Sequence, residues 1–127
     1  MTRDAITTPK APAIGPYSVA VRANGFVYLA GQTPMNPATG TLADGGLEGQ
    51  TLQCFANLRA VLDAAGLTMD DVVKVNVFLV DMADFAAMNA IYERQFNRPF
   101  PARTTIGVAA LPFGSSVEIE MVAREPA

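Results

Sequence analysis

Residues 72–80 read VVKVNVFLV, a run rich in β-branched side chains that predicts a β-strand. Alternation gives this strand two apolar faces, with Val73, Val75, Val77 and Leu79 on one and Val72, Phe78 and Val80 on the other. A short strand that is apolar on both faces is typical of the middle of a sheet. We therefore expect the rest of the fold to be arranged around it.

A helix is predicted on each side of this strand along the chain. Gly66 follows the first helix at the position of a left-handed C-terminal cap. The second helix begins after Asp81, a residue type that favours the N-cap, runs to about Gln95, and is ended by the prolines at 99 and 101. The predicted buried stripes are Leu47, Thr51, Cys54, Phe55, Leu58, Val61, Leu62 and Ala65 in the first helix and Phe85, Met88 and Tyr92 in the second.

Two strands precede the first helix and two follow the second. The first pair spans residues 17–21 and 26–30 around an Asn-Gly turn, and the last pair spans about 103–109 and 116–123. The resulting order, β-β-α-β-α-β-β, predicts an α+β fold with a mixed sheet. A chain of this length is expected to form one domain over residues 1–127.

Two segments show no helical or strand periodicity. Residues 1–16 hold three prolines and are expected to be an extended leading segment. Residues 31–46 are rich in Pro, Gly and Thr and are expected to be a loop, long enough to suggest a function.

The two apolar faces of the central strand also predict an assembly. Two helices can cover only one face of a five- or six-stranded sheet, so the other face of a lone chain would expose a large apolar patch. Soluble monomers rarely expose such patches. We therefore expect a homo-oligomer in which sister chains cover that face.

Charge and composition argue against several classes of partner. The net charge is −3 and no Lys/Arg cluster is present, so we expect no nucleic-acid partner. No apolar run approaches the roughly 20 residues that span a bilayer, so we expect no membrane partner. The start of the chain lacks the apolar core of a signal peptide and a single cysteine cannot form an internal disulfide, which favours a cytoplasmic protein.

Most catalytic and metal sites are excluded by residue counts. The chain has no histidine and one cysteine, so a Ser-His-Asp or Cys-His nucleophile is ruled out and a zinc site is close to excluded. Cys54 lies in an apolar helix stripe, where inert burial is the default. The glycines of residues 45–49 lack the Gly-Lys-Ser/Thr ending of a phosphate-binding loop. We therefore expect no metal site.

The residues left for chemistry lie in the last quarter of the chain, FPARTTIGVAALPFGSSVEIEMVA at 100–123. Arg103 opens one strand-like run, and its planar guanidinium suits a carboxylate ligand. Glu118 and Glu120 share one face of the following run. If the last two strands pair as a hairpin, a glutamate comes near the arginine. A structural cross-strand ion pair would explain the same spacing, so alternation alone leaves both interpretations open.

At these residues the chain resembles the Rid family of reactive intermediate deaminases, the YjgF type. The resemblance covers nearly the whole chain, and the combination of motifs is specific although each motif alone is weak. The matching stretches are AIGPYSVAV at 13–21, LAGQTP at 29–34, AAGL at 64–67, VVKVNVFLVDMADFAAMNAIYERQF at 72–96, FPAR at 100–103 and VEIEMVA at 117–123.

The resemblance implies a chorismate-mutase-like fold with two helices on one face of the sheet, assembled as a homotrimer with clefts between subunits. It implies hydrolysis of 2-imino acids, formed from enamines such as 2-aminoacrylate, to 2-keto acids and ammonia, with no cofactor. Residue by residue, it implies that Arg103 holds the substrate carboxylate and Glu118 positions and polarises water.

The resemblance also implies four further contacts. Tyr17 would wall the cleft, the Gly31 backbone would lie beside the substrate, and Asn89 would sit nearby. At Thr105 the family commonly has cysteine, so only the backbone donor carries over. Ala30 likewise replaces a common hydroxyl residue before Gly31. These two departures bear on substrate preference.

Two other functions fit the same residues. A binding module that senses 2-keto acids needs the arginine and not Glu118. A protein-interaction trimer needs neither. Turnover of an imine, compared with binding of a keto acid alone, separates these functions.

Overall fold

The structure is a computed structural model that describes residues 2–126. It contains a six-stranded sheet of order β1-β2-β3-β8-β6-β7, a separate β4-β5 hairpin and two α-helices. The strands are β1 Asp4–Ile6, β2 Ala20–Ala23, β3 Phe26–Gln32, β4 Met35–Asn36, β5 Thr41–Leu42, β6 Val72–Leu79, β7 Ala102–Gly107 and β8 Val117–Arg124, and the helices are α1 Gly46–Ala64 and α2 Phe85–Tyr92.

The core lies between one face of this sheet and the two helices. β6 runs parallel to β7 and antiparallel to β8, and the remaining pairings in the sheet are antiparallel, so the sheet is mixed. Alternate residues of β3, β6 and β8 are buried beneath α1 and α2. This arrangement confirms the predicted α+β class with both helices on one face.

The first helix and the central strand form where the sequence predicts them. The stripe of α1 is buried, including Cys54, Phe55, Leu58, Val61 and Leu62. After the C-terminus of α1 the chain turns through Gly66 at φ 76°, a left-handed conformation that glycine adopts without steric penalty.

The predicted facing of Val73 in β6 is wrong, because a register shift changes which residues at the start of the strand are buried. The pairing between β6 and β8 slips between Val72 and Lys74, so that Val72 is buried and Val73 is exposed. A bulge of this kind inserts one residue and reverses the facing of those before it. Val73 therefore does not join Val75, Val77 and Leu79 on the buried face.

Three further elements differ from prediction. The leading segment contributes β1, whose three residues pair with β2, and the predicted 31–46 loop contains the β4-β5 hairpin. Elements of two or three residues are too short to show a period. Asp81 caps a 3₁₀ turn that precedes α2, and its carboxylate accepts a hydrogen bond from the Ala83 N–H. The α-helix itself ends at Tyr92, and turns with i→i−3 hydrogen bonds continue to Gln95, where the helix was predicted to end.

The last two strands do not form a hairpin. β6 lies between β7 and β8 and pairs with both, so the chain leaves β7 and returns on the far side of β6. The expectation that Arg103 and Glu118 meet across a hairpin is therefore wrong. Arg103 pairs with Val75 on the helix-covered face, whereas Glu118 pairs with Phe78 on the opposite face.

Within residues 2–126, that opposite face carries no helix and is only partly polar. Tyr28 and Ile106 are 47% and 45% exposed there, and Phe78 and Val122 are half-buried. Between them lie Lys74, Asn76, Glu118 and Glu120. None of the helices among residues 2–126 has the length and apolar character needed to cross a membrane.

Candidate active site

Arg103 is held against two aromatic rings of α2. Its guanidinium carbon lies 4.6 Å from the ring centroid of Tyr92 and 5.6 Å from that of Phe85. β7 presents Arg103 to this surface because its side chain shares the facing of Val75, which points to the helices. We call Asn89, Tyr92, Arg103 and Thr105 the arginine half-site.

The hydrogen-bond donors of the Arg103 guanidinium are uncommitted. Among residues 2–126 it forms neither an ion pair nor a side-chain hydrogen bond. Its described contacts at this end are with aromatic rings, which provide no acceptor for its N–H groups. An edge of parallel N–H donors matches the two oxygens of a carboxylate.

Three buried polar atoms of the arginine half-site have no hydrogen-bond partner within the described chain, namely Asn89 Oδ1, Tyr92 Oη and Thr105 Oγ1. A buried polar group left unpaired costs about 1–3 kcal/mol, so native structures usually pair such groups. A cavity of about 360 Å³ is lined here by Asn89, Tyr92 and Arg103. Arg103 and two of the three residues with unpaired atoms line one cavity, which indicates a site that another molecule completes.

Glu118 lies on the uncovered face and packs against the backbone of Gly31. The register between β3 and β8 shifts between Leu29 and Gln32, which brings Gly31 beneath the carboxyl group. A Cβ at position 31 would lie 2.5 Å from Glu118 Oε2. Only glycine leaves room for the carboxyl group in this position. We call Tyr17, Gly31 and Glu118 the glutamate half-site.

Tyr17 forms a wall of the glutamate half-site. Its side chain is 46% exposed, and its hydroxyl accepts from the Ile14 N–H at 3.4 Å. Tyr17 and Gly31 together line a cavity of about 140 Å³. Tyr17 is thus a surface aromatic residue rather than a core residue.

The surroundings of Glu118 favour its protonated form. Partial burial, and then the negative charge of Glu120, raise the pKa of the Glu118 carboxyl above its ordinary value. Glu120 itself accepts from Asn76 Nδ2 at 2.9 Å. A carboxyl whose pKa is shifted towards neutrality is a better general base near pH 7 than an ordinary glutamate.

Polar side chains of α1 fix the strand ends that carry Gly31 and Glu118. Gln50 Oε1 accepts from the Ser116 N–H at 2.8 Å, just before β8. Cys54 Sγ donates to the Gln32 carbonyl at 3.2 Å, and Asn57 Nδ2 donates to the Met35 carbonyl at 2.9 Å. Residues 50, 54 and 57 lie on one side of a helix.

Cys54 behaves as expected for an inert thiol. It is fully buried, and burial, followed by the charge of Glu118, raises its pKa far above the ordinary value. Its role is the hydrogen bond to β3. Among residues 2–126 no three His, Cys, Asp or Glu side chains cluster as a metal site requires.

In a single chain the predicted site residues therefore form two separate groups, and the two groups do not meet. Asn89, Arg103 and Thr105 lie in the arginine half-site on the helix-covered face. In the other half-site, Gly31 lies against Glu118, and Tyr17 shares a cavity with Gly31. Within one copy, the sheet separates the guanidinium from the carboxyl.

A family model described as Endoribonuclease L-PSP matches residues 8–125. A Yersinia pestis structure described as a member of the conserved Rid protein family superposes with a TM-score of 0.93 at 43% identity, covering 97% of this chain and 99% of that one. The chain belongs to the Rid family. The predicted family and fold are thereby confirmed.

Curated relatives of this Rid chain include named deaminases and RutC family proteins. It is 48% identical over 118 residues to a 2-iminobutanoate/2-iminopropanoate deaminase of Dermatophagoides farinae, which covers 92% of each chain. It is 44% identical over 122 residues to a RutC family protein of Pyrococcus horikoshii, covering 95% of this chain and 97% of that one. The named deaminases support a deaminase of the Rid type.

Tyr92 belongs to the arginine half-site of this Rid chain but was predicted only as a core residue. Its position three residues after Asn89 on the same helix face was the available signal. Helical spacing alone does not distinguish a ring that packs in the core from one that also supports a cation.

Proposed function

We propose that the protein hydrolyses small 2-imino acids to 2-keto acids and ammonia, without a cofactor. The observation that carries this proposal is the uncommitted guanidinium of Arg103, backed by aromatic rings and surrounded by unpaired polar atoms. Its chemistry suits a small carboxylate. The relatives named as imino acid deaminases support the same reaction.

The proposed active unit is a homotrimer in which each site combines half-sites from two copies. Arg103 and Glu118 lie on opposite faces of one chain, so a guanidinium and a carboxyl can act on one substrate only if a second copy supplies one of them. The helix-free face, with its exposed Tyr28 and Ile106, supports burial against a neighbour. A closed cyclic assembly satisfies every copy equally.

In the proposed mechanism, Arg103 binds the substrate carboxylate and offsets its negative charge. That charge otherwise makes the neighbouring imine carbon a poor electrophile. Hydrogen bonds to charged groups contribute about 1.5–3 kcal/mol each, enough for a bidentate pair to orient a small molecule. Asn89 lines the cavity with Arg103, and Thr105 follows Arg103 on the same face of β7, so both would lie beside the bound carboxylate.

Glu118 acts as the base in this mechanism. It removes a proton from water as the water oxygen bonds to C2 and the C=N π pair moves to nitrogen, and the protonated Glu118 then gives this proton to the nitrogen. The resulting carbinolamine then loses its nitrogen as ammonia, while the hydroxyl proton returns through Glu118 and the C2–O bond becomes a carbonyl. A positioned base contributes about 10²–10⁴-fold, which suffices for imines because they also hydrolyse without a catalyst.

The experiment generates 2-aminoacrylate in situ and follows its loss and the formation of pyruvate. We expect wild type to accelerate hydrolysis, Arg103→Ala to lose saturation by substrate, and Glu118→Gln to lose turnover by about 10²–10⁴-fold. Wild-type rates from Arg103→Ala would contradict the site. Exposed Arg98→Ala, outside both half-sites, is the matched control.

Two other outcomes remain distinguishable. Binding of 2-ketobutyrate with no turnover by wild type would favour the keto-acid sensor, which needs Arg103 alone. The family description names endoribonuclease activity, but the net charge of −3 gives no electrostatic support for holding RNA. Incubation with single-stranded RNA checks this, and cleavage that depends on Glu118 would contradict the proposal.

A further inference from the structure

We propose that Tyr92 is a positioning residue whose aromatic face sets the orientation of the Arg103 guanidinium for carboxylate binding. The inference rests on the function proposed above and adds a residue to the same site. The guanidinium lies 4.6 Å from the Tyr92 ring centroid, well within the range of a cation–π interaction.

The geometry separates this role from ordinary core packing. An arginine side chain has several rotatable bonds, and Arg103 forms neither an ion pair nor a side-chain hydrogen bond among residues 2–126 that would hold it. The rings of Tyr92 and Phe85 are the groups that restrain its charged end, and Phe85 lies a full 5.6 Å away. Tyr92 is therefore the principal restraint on the orientation of the cation.

The Tyr92 ring is itself held rigidly. Its centroid lies 4.9 Å from that of Phe96 and 5.8 Å from that of Phe55, and all three side chains are buried. Offset and edge-on aromatic pairs of this kind resist rotation of the ring. A guanidinium resting on an immobile ring loses little further freedom when a ligand binds, which favours affinity.

The Tyr92 hydroxyl stays neutral in this arrangement. Burial raises the pKa of Tyr92 to about 12, although the nearby positive charge of Arg103 opposes the shift. The interaction therefore joins a cation to a neutral ring and not to a phenolate. It follows that the ring, rather than the hydroxyl, is the part that positions Arg103, and that Tyr92→Phe should preserve it.

The test measures 2-ketobutyrate binding to the intact oligomer by calorimetry, alongside KM and kcat. Tyr92→Leu should weaken binding and raise KM by roughly 5- to 30-fold, with kcat changed less than about 3-fold. Tyr92→Phe should stay within about 3-fold of wild type. Phe96→Leu loosens the packing around the Tyr92 ring but leaves that ring against Arg103, so it is the matched control. It should weaken binding much less than Tyr92→Leu does, and equal losses would overturn the inference.

A second series avoids any change of shape. Phenylalanine rings bearing one to three fluorines, incorporated at position 92, progressively remove the negative charge of the ring face while keeping its size. Keto-acid affinity should fall with each fluorine, whereas affinity for the uncharged amide analogue should not change. Equal affinities along the series would overturn the proposal even if Tyr92→Leu fails to fold.

The two proposals fail in different ways. A wild-type protein that binds 2-ketobutyrate with fluorine-dependent affinity but hydrolyses no imine would overturn the deaminase and support the role of Tyr92. An active deaminase whose KM is the same along the fluorine series would support the proposed function and overturn this inference.

Discussion

The two half-sites are built by different means on opposite faces of one sheet. The guanidinium of Arg103 rests on side chains, the rings of Tyr92 and Phe85 on α2. The carboxyl of Glu118 is placed by backbone, since it packs on the bare Cα of Gly31 and its strand is fixed by hydrogen bonds from α1. The position of the Arg103 guanidinium should therefore depend on the aromatic rings beneath it. The position of the Glu118 carboxyl should depend on the space above Gly31 and on the hydrogen bonds from α1.

Among changes that keep both Arg103 and Glu118, the largest effect is expected at Gly31. A methyl group there would meet Glu118 Oε2 at 2.5 Å and displace the carboxyl group, so Gly31→Ala should lower kcat by roughly 100-fold. Because the displaced atoms are the end of a flexible side chain, the fold should persist. Steady-state kinetics together with circular dichroism measure both properties.

Gly107→Ala is the matched control for this change. A Cβ at 107 would meet Met82 Cγ at 3.0 Å, which is also a flexible side chain but lies outside both half-sites. Its kcat should stay near that of wild type. Equal losses in the two variants would show that added bulk in a strand, and not displacement of Glu118, lowers activity.

A stability effect is expected at Asn57. This buried side chain donates to the Met35 and Thr33 carbonyls and accepts from Gln53, so Asn57→Ala leaves these partners unpaired. The free energy of unfolding should fall by about 1–3 kcal/mol, as measured by urea denaturation at fixed protein concentration. Exposed Asn97, which donates to Asp70, provides the control: Asn97→Ala should change stability by less than about 0.5 kcal/mol.

A smaller effect is expected on the stability of Glu118→Gln. The pKa of Glu118 is raised in the folded protein, so the folded state binds its proton more tightly than the unfolded chain does. Stability from this group is present at pH values below the ordinary carboxyl pKa of 4.5 and is lost as pH rises through the raised value.

Glu118→Gln should therefore be slightly more stable than wild type at pH 7, and this difference should vanish below pH 4.5. Thermal unfolding at the two pH values measures it. A glutamine variant that is less stable at pH 7 would indicate that the folded protein stabilises the ionised carboxylate.

The smallest effect is expected at Glu120. Its negative charge contributes to the raised pKa of Glu118, second to burial, and a glutamine can still accept from Asn76. Glu120→Gln should therefore move the acid limb of the kcat/KM profile to lower pH while leaving the plateau unchanged. An acid limb that stays in place would mean that Glu118 is not the group titrating there.

Sequence patterns predicted the large elements because each of these is long enough to show a repeating pattern of apolar residues. The stripe of α1 and the apolar run of β6 are examples, and both owe their form to burial. The short β1, β4 and β5 depend on pairing with distant residues, so no local period marks them. Val73 was misplaced because a bulge is a property of the paired strand and not of its own sequence.

The placement of β7 shows where adjacency in sequence misleads. Consecutive strands often pair, which favoured a hairpin of β7 with β8. The strand-helix-strand succession of β6, α2 and β7 was the competing signal, since such units place their strands in parallel. Residue counts and the family resemblance identified Arg103 and Glu118 as candidates, but their separation by a sheet required the three-dimensional pairing.

Subunit mixing is the most direct test of a site shared between copies. Arg103→Ala and Glu118→Gln, each expected to hydrolyse imine far more slowly than wild type, are co-expressed so that their chains assemble at random, and imine hydrolysis is measured on the purified oligomer. About a quarter of the sites should then pair an intact Arg103 with an intact Glu118 from the neighbouring chain, which should restore about a quarter of wild-type activity. Arg103→Ala mixed with the double variant should restore none. Activity in the first mixture no greater than in the separate variants would contradict a catalytic site formed by two chains.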